Sequence, residues 1–167
     1  MNNLSNFNHP IAEMINAGEP VRADFFKDRP AEFSRFVLTY GRGYTATKLP
    51  DSIRRRKPGT CFESCANFVI EPRNKASGFR YVEGVAMRPS IGMLISHAWL
   101  TRDGEAFDIT WKDFKGGDNL DCLYFGVEFS ARAVGKIILK RGYYGLLDPA
   151  DDFVVSALTE GSERNAA

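Results

Sequence analysis

The chain is short of the features that announce a class. It has three cysteines, too few and odd in number for a disulfide framework, which points to a reducing compartment, the cytoplasm. Charge of one sign is lacking as well. Lys and Arg number 22 against 21 Asp and Glu, a net charge of +1, so there is no general pull toward nucleic acid or a membrane surface. No apolar run reaches the ~18 residues that a membrane-spanning helix needs. The segment from Met1 to Pro10 is Asn-rich and lacks the charged region and apolar run of a signal peptide. Internal repeats and low-complexity tracts are absent too. What remains is an ordinary globular composition, 44% hydrophobic and 26% charged. A chain of 167 residues is expected to form one domain with a real core, frayed over 1–10 and about 158–167.

The stretch Gly59-Thr60-Cys61-Phe62-Glu63-Ser64-Cys65-Ala66 organises the rest. Pro58-Gly59 stops what precedes it. Thr60 and Glu63 fit a capping box, with Thr60 as N-cap. Cys61 then falls at the first helical residue, where unpaired N–H groups and the helix dipole favour negative charge. A thiol there ionises more easily, and the thiolate is the reactive form. Cys65 lies one turn further on, in an apolar stripe with Ala66, Phe68 and Val69. The plainer alternative is that both cysteines are small buried hydrophobes.

Taken in order, 10–17 can form a short helix. A second helix is expected over 28–40, capped by Asp28, with Phe33, Phe36, Val37 and Tyr40 at helical spacing. Arg54-Arg55-Arg56-Lys57 is the one dense basic run. It reads either as a solvated loop or as an electropositive rim beside Cys61. The Cys61 helix should end near Glu71-Pro72. Strands are expected over 79–87, 93–101, 105–111 and 122–129, and Ser130 can cap a helix over 131–140. Helices first and strands later predict an α+β fold, N-terminal helices packed on a mainly antiparallel sheet.

The hairpin gives the second clue. Asp103-Gly104 as a two-residue turn pairs Arg102 with Glu105. The register then sets Trp99 opposite Asp108 and His97 opposite Thr110, all on one face. His97 and Asp108 become diagonal neighbours, roughly 7–8 Å apart at the backbone. The chain has two histidines, and His9 precedes a proline in the expected frayed end. Any Cys–His chemistry must therefore use His97, whose plainer reading is a hydrogen-bonded histidine in a sheet.

Gly59-Thr60-Cys61 opening a helix, Arg80-Tyr81-Val82-Glu83-Gly84, His97-Ala98-Trp99 and Asp108-Ile109-Thr110 follow in that order. The pattern resembles the transglutaminase-like branch of the papain-like cysteine enzymes, over residues 59–129. The resemblance implies a transglutaminase-like core with Cys61 as nucleophile, His97 as general base and acid, and Asp108 as its orienter. It implies hydrolysis of an amide (peptide, isopeptide or glutamine side chain) or ester through a thioester, or acyl transfer by the same triad. The implied partner is a protein, peptide or small amide, with no cofactor, metal, nucleic acid or membrane. Ile109 stands where the family often has Pro. The family's oxyanion-hole side chain has no clear counterpart; Tyr40, Tyr44 and the Cys61 backbone N–H are the candidates.

Two other classes compete. Cys61, Cys65, Cys122 and His97 could form a Cys₃His zinc site, although an apolar helix follows the cysteine pair where a loop is usual. An inactive member of the same fold could serve as a binding or inhibitor module. Asp118, Asn119 and Asp121 do not fit calcium-loop spacing and read as a polar turn.

Overall fold

The computed structural model describes residues 8–22, 30–113, 115–148 and 151–162. Asp28, the expected cap of the second helix, lies outside them. The elements in chain order are α1 (Pro10–Asn16), α2 (Pro30–Tyr40), β1 (Arg42–Ala46), α3 (Cys61–Ile70), a 3₁₀ helix (Pro72–Ser77), β2 (Arg80–Arg88), β3 (Met93–Arg102), β4 (Glu105–Phe107), β5 (Leu123–Phe129), α4 (Ala131–Arg141) and α5 (Asp152–Ser162). Helices and strands are combined, as the α+β expectation required. The sheet departs from it: the strands close into a five-strand barrel in the order β1-β4-β3-β2-β5, and β1 pairs parallel with β4. The other four pairings are antiparallel. The sheet expected as mainly antiparallel is thereby a closed barrel with one parallel pairing. The cause is β1, a five-residue strand containing Gly43 that carries little sequence signal of its own.

Closure has a steric requirement. Gly84 of β2 is paired with Gly126 of β5, and a Cβ on Gly84 would sit 2.4 Å from the Gly126 Cα. A Cβ on Gly126 would in turn meet the Trp99 ring at 2.7 Å. The two glycines let the strands come together around an indole. The inside of the barrel is a small cluster with residues from all five strands: Tyr44, Val82, Ala86, Trp99, Ala106 and Tyr124, joined by Cys122 just before β5. The outer face carries the larger core, where Tyr81, Val85, Leu100, Phe125 and Val127 meet the buried sides of the helices. Strand alternation separates the two sets, because successive side chains point to opposite faces.

Residues 8–10 and 158–162 belong to the stretches expected to fray and are among those described. His9 caps α1, its Nδ1 accepting the Ile11 N–H at 3.3 Å, and its ring lies 5.3 Å from that of Phe125. Burial lowers its pKa, so the frayed histidine is a partly buried neutral cap. At the other end α5 runs to Ser162, covering the first part of the expected tail; residues 1–7 and 163–167 lie outside those described.

Candidate active site

The hairpin sets the site. Asp103 and Gly104 have φ of 55° and 84°, the positive pair that a type I′ turn needs. Arg102 pairs with Glu105 as the sequence predicts, and the register continues through Thr101–Ala106 and Leu100–Phe107. There the ladder stops, four residues short of the expected strand. Asp108 ends it by turning its side chain onto its own backbone: Oδ1 accepts the Thr110 N–H at 2.9 Å and the Trp111 N–H at 2.8 Å. Asp and Asn bond the chain two residues on in this way, which competes with a strand. The expected pairings of Trp99 with Asp108 and of His97 with Thr110 are therefore not formed. The side chains nonetheless meet, because Asp108 sits at the end of β4 on the side that faces His97.

His97 Nε2 lies 2.7 Å from Asp108 Oδ2, with both side chains buried. The same oxygen accepts the Tyr124 hydroxyl at 3.0 Å, and Oδ1 also accepts the Thr110 hydroxyl at 3.1 Å. Burial alone would raise the Asp108 pKa, but the His97 charge and hydrogen bond, with the Trp111 and Thr110 N–H groups, outweigh it and hold the carboxyl low. Burial alone would lower the imidazole. Asp108 and contact with the Cys61 side chain overcome that and raise it. The Cys61 side chain is thus near enough to the imidazole to favour its charged form. Trp111 covers the imidazole in a stacked arrangement, ring centres 4.2 Å apart.

Cys61 begins α3 with Thr60 as N-cap. The capping box itself is not made. The Thr60 hydroxyl bonds the Lys57 carbonyl and the Ser64 hydroxyl, each at 2.7 Å, and Glu63 is exposed. The first helical bond is Ser64 N–H to the Thr60 carbonyl, so the Cys61 N–H precedes the ladder and remains a candidate oxyanion donor. One turn on, Cys65 is fully buried, its Sγ 3.5 Å from the Ala98 carbonyl, and burial pushes its pKa up. One helix thus carries a thiol at the site and a thiol in the core.

The other sequence candidates separate. Tyr40 packs on Phe36, and Tyr44 bonds Arg42 and Glu128 at the barrel wall; neither has a contact that makes it an oxyanion donor. Arg55 is more than a solvated cation. Its Nη1 donates to the carbonyls of Asp108 (3.2 Å) and Trp111 (2.8 Å), and its Nη2 pairs with Asp118. It clamps the loop that carries Asp108, while Arg54, Arg56 and Lys57 stay exposed. Asp118 also accepts the Leu49 N–H, so that stretch is a polar turn. Among the described residues no three His, Cys, Asp or Glu are grouped to hold a metal ion, which removes the Cys₃His arrangement. No helix among them is long and apolar enough to cross a membrane.

Sequence reasoning missed Tyr124, Trp111 and Arg55 as parts of the site. Tyr124 could have been found, since it alternates with Gly126 and Glu128 on the inward face of its strand. Arg55 and Trp111 act through loop geometry that no periodicity encodes. Comparison with protein-family models, with curated proteins and with solved structures finds no match to this chain, so the chemistry of the site rests on its geometry.

Proposed function

We propose that the protein is a cysteine-nucleophile hydrolase, cleaving amide or ester bonds through a thioester on Cys61. The observation that carries the reading is the buried His97–Asp108 pair, with Cys61, the first residue of a helix, near enough to favour the imidazolium. In the mechanism the proton shared by the Cys61–His97 pair rests on the imidazole as the sulfur attacks the carbonyl carbon. The imidazolium then protonates the leaving amine or alcohol as its bond to that carbon breaks. Water attacks the thioester, His97 acting again as base, and the acid and free thiol are released. Asp108 fixes the imidazole and stabilises its charge. Trp111 shields the His97–Asp108 bond from solvent, where a water would compete for it.

The order of short motifs supports placing the chain in the transglutaminase-like branch of the papain-like enzymes. A transglutaminase-type acyl transferase uses the same three residues with an amine in place of water. An inactive binding module would keep the fold without turnover. Three unpaired cysteines suit a reducing compartment such as the cytoplasm.

The test is intact mass after exposure to p-nitrophenyl acetate. Wild type should gain one acetyl group on Cys61, with release of p-nitrophenol, and Cys61→Ala should gain none at that rate. Equal acylation of both proteins would end the proposal. Added primary amines that capture the acyl group faster than water would favour transfer over hydrolysis.

A further inference from the structure

The face that carries the base continues into a pocket. Alternation along β3 puts Met93 and Ile95 on the same side as His97, and β2 places Arg88 opposite Met93 and Ala86 opposite Ile95. Beyond the barrel end Met93, Ile95 and Arg88 floor a cavity of about 290 Å³, walled by Pro58 and Trp111. Pro58 lies three residues before Cys61, and Trp111 is the ring stacked on His97. The cavity is therefore one indole away from the imidazole and close to the helix start. Its far end is cationic. The Arg88 guanidinium lies 5.8 Å from the Trp111 ring and donates to the Lys112 carbonyl at 2.7 Å, which brings the exposed Lys112 beside it. Among the described residues no acidic one lines the cavity.

We propose that this pocket selects the substrate of the Cys61 reaction as an acyl donor with an apolar chain ending in an anionic group. The assignment rests on the hydrolase reading above. The apolar chain lies over Ile95 and Met93, where burying it removes methylene groups from water. The acid reaches Arg88 and Lys112, and the scissile carbonyl stays at Cys61. A volume at the lower end of small-molecule pockets suits one such chain and excludes a bulky polycyclic group. A cationic acyl donor is rejected by the same two side chains.

Binding and chemistry can be tested apart. Trp111 lines the pocket and reports by its fluorescence, so Cys61→Ala protein is titrated with octanoate, octanol and octylammonium. Octanoate should bind at least tenfold more tightly than octanol, and octylammonium most weakly. Lys112→Glu, an exposed change, should bring octylammonium above octanoate. Equal affinity for octanoate and octanol, or an order unmoved by Lys112→Glu, overturns the proposal. Wild type is then given p-nitrophenyl acetate, p-nitrophenyl octanoate and the mono-p-nitrophenyl ester of octanedioic acid. The last should acylate Cys61 fastest, by tenfold or more over the octanoate ester. If acetate acylates Cys61 and the anionic ester has no advantage, the substrate class is wrong and the nucleophile stands. Octanoate binding with no ester acylating Cys61 overturns the catalytic reading and the substrate assignment with it.

Discussion

Among the described residues two carboxylates are buried, and they are held in opposite ways. Asp108, at one end of the barrel, meets an imidazole, a phenol, a hydroxyl and two backbone N–H groups. Glu83, on the outer face of β2, meets only neutral donors: the Tyr81 hydroxyl and the N–H groups of Leu146 and Leu147, at 2.6–3.1 Å. Burial raises Glu83, and its hydrogen bonds, with the more distant Arg141 charge, do not overcome that. Asp108 ends low because a cationic partner is in contact. The charge of one donor, more than the length of the bonds, therefore separates the two. Glu83 fastens the segment after α4 to the barrel, with Arg141 holding the Gly145 and Leu146 carbonyls from the other side. Asp108 keeps a charge within reach of a reacting histidine.

The largest expected effect separates them by activity. Asp108→Asn should lower kcat about 10⁴-fold, the scale of losing an orienting carboxylate in a comparable triad. Steady-state hydrolysis of a p-nitrophenyl ester measures it. A loss under tenfold would make Asp108 a strand terminator and leave a Cys61–His97 dyad. Glu83→Leu is the converse experiment. It strands two backbone N–H groups and a phenol in the interior, each costing about 1–3 kcal/mol. Denaturant unfolding should show a loss of about 3 kcal/mol or more, with kcat per folded molecule within a few-fold of wild type. A Glu83→Leu protein that is stable but inactive would join the two regions into one site.

The pH dependence of stability should divide the same way. Asp108, lowered in the fold, contributes fully above the ordinary carboxylate range of about 4, and the contribution is lost as pH falls through its folded value. Glu83, raised, has the opposite sign. The fold binds its proton more readily than the unfolded chain, so this term weakens stability as pH climbs above about 4. His97, raised, contributes fully below about 6.5 and loses that contribution as pH rises through its folded value. Unfolding midpoints from acid to alkali should rise out of acid and fall in alkali. Asp108→Asn should flatten both limbs, because it removes one charge and the cause of the other's shift. An unchanged alkaline limb in that variant would detach His97 from Asp108.

How much of this could be read from the sequence follows from which contacts are local. The Asp103-Gly104 turn fixed one register and brought His97 and Asp108 together, and Thr60 marked the start of the Cys61 helix. The end of β4 was misplaced because an aspartate that can bond its own backbone looks like any other strand residue. The barrel was hidden because its closure depends on β1 pairing with β4 and β5, far apart in the chain, and on Gly84 meeting Gly126. Arg55 read as part of a solvated loop or an electropositive rim, and not as a clamp, because its acceptors are carbonyls more than fifty residues away.

The smallest expected effect concerns Tyr124, which belongs to the Asp108 side by one bond. Its hydroxyl donates to the oxygen that also meets His97, and its ring packs 5.0 Å from Trp99 inside the barrel. Tyr124→Phe keeps the ring and removes the donor. A hydrogen bond to a charged group contributes about 1.5–3 kcal/mol, and part of that reaches the transition state through His97. A loss near 1.4 kcal/mol corresponds to about a tenfold fall in kcat, with KM little changed. Removing a donor to the carboxylate also makes Asp108 easier to protonate, so the acid limb of the rate profile should move to higher pH. A residue that only filled the barrel would move neither. If kcat falls in proportion to the folded fraction and the acid limb stays where it is, Tyr124 belongs with Glu83 among the groups that hold the fold.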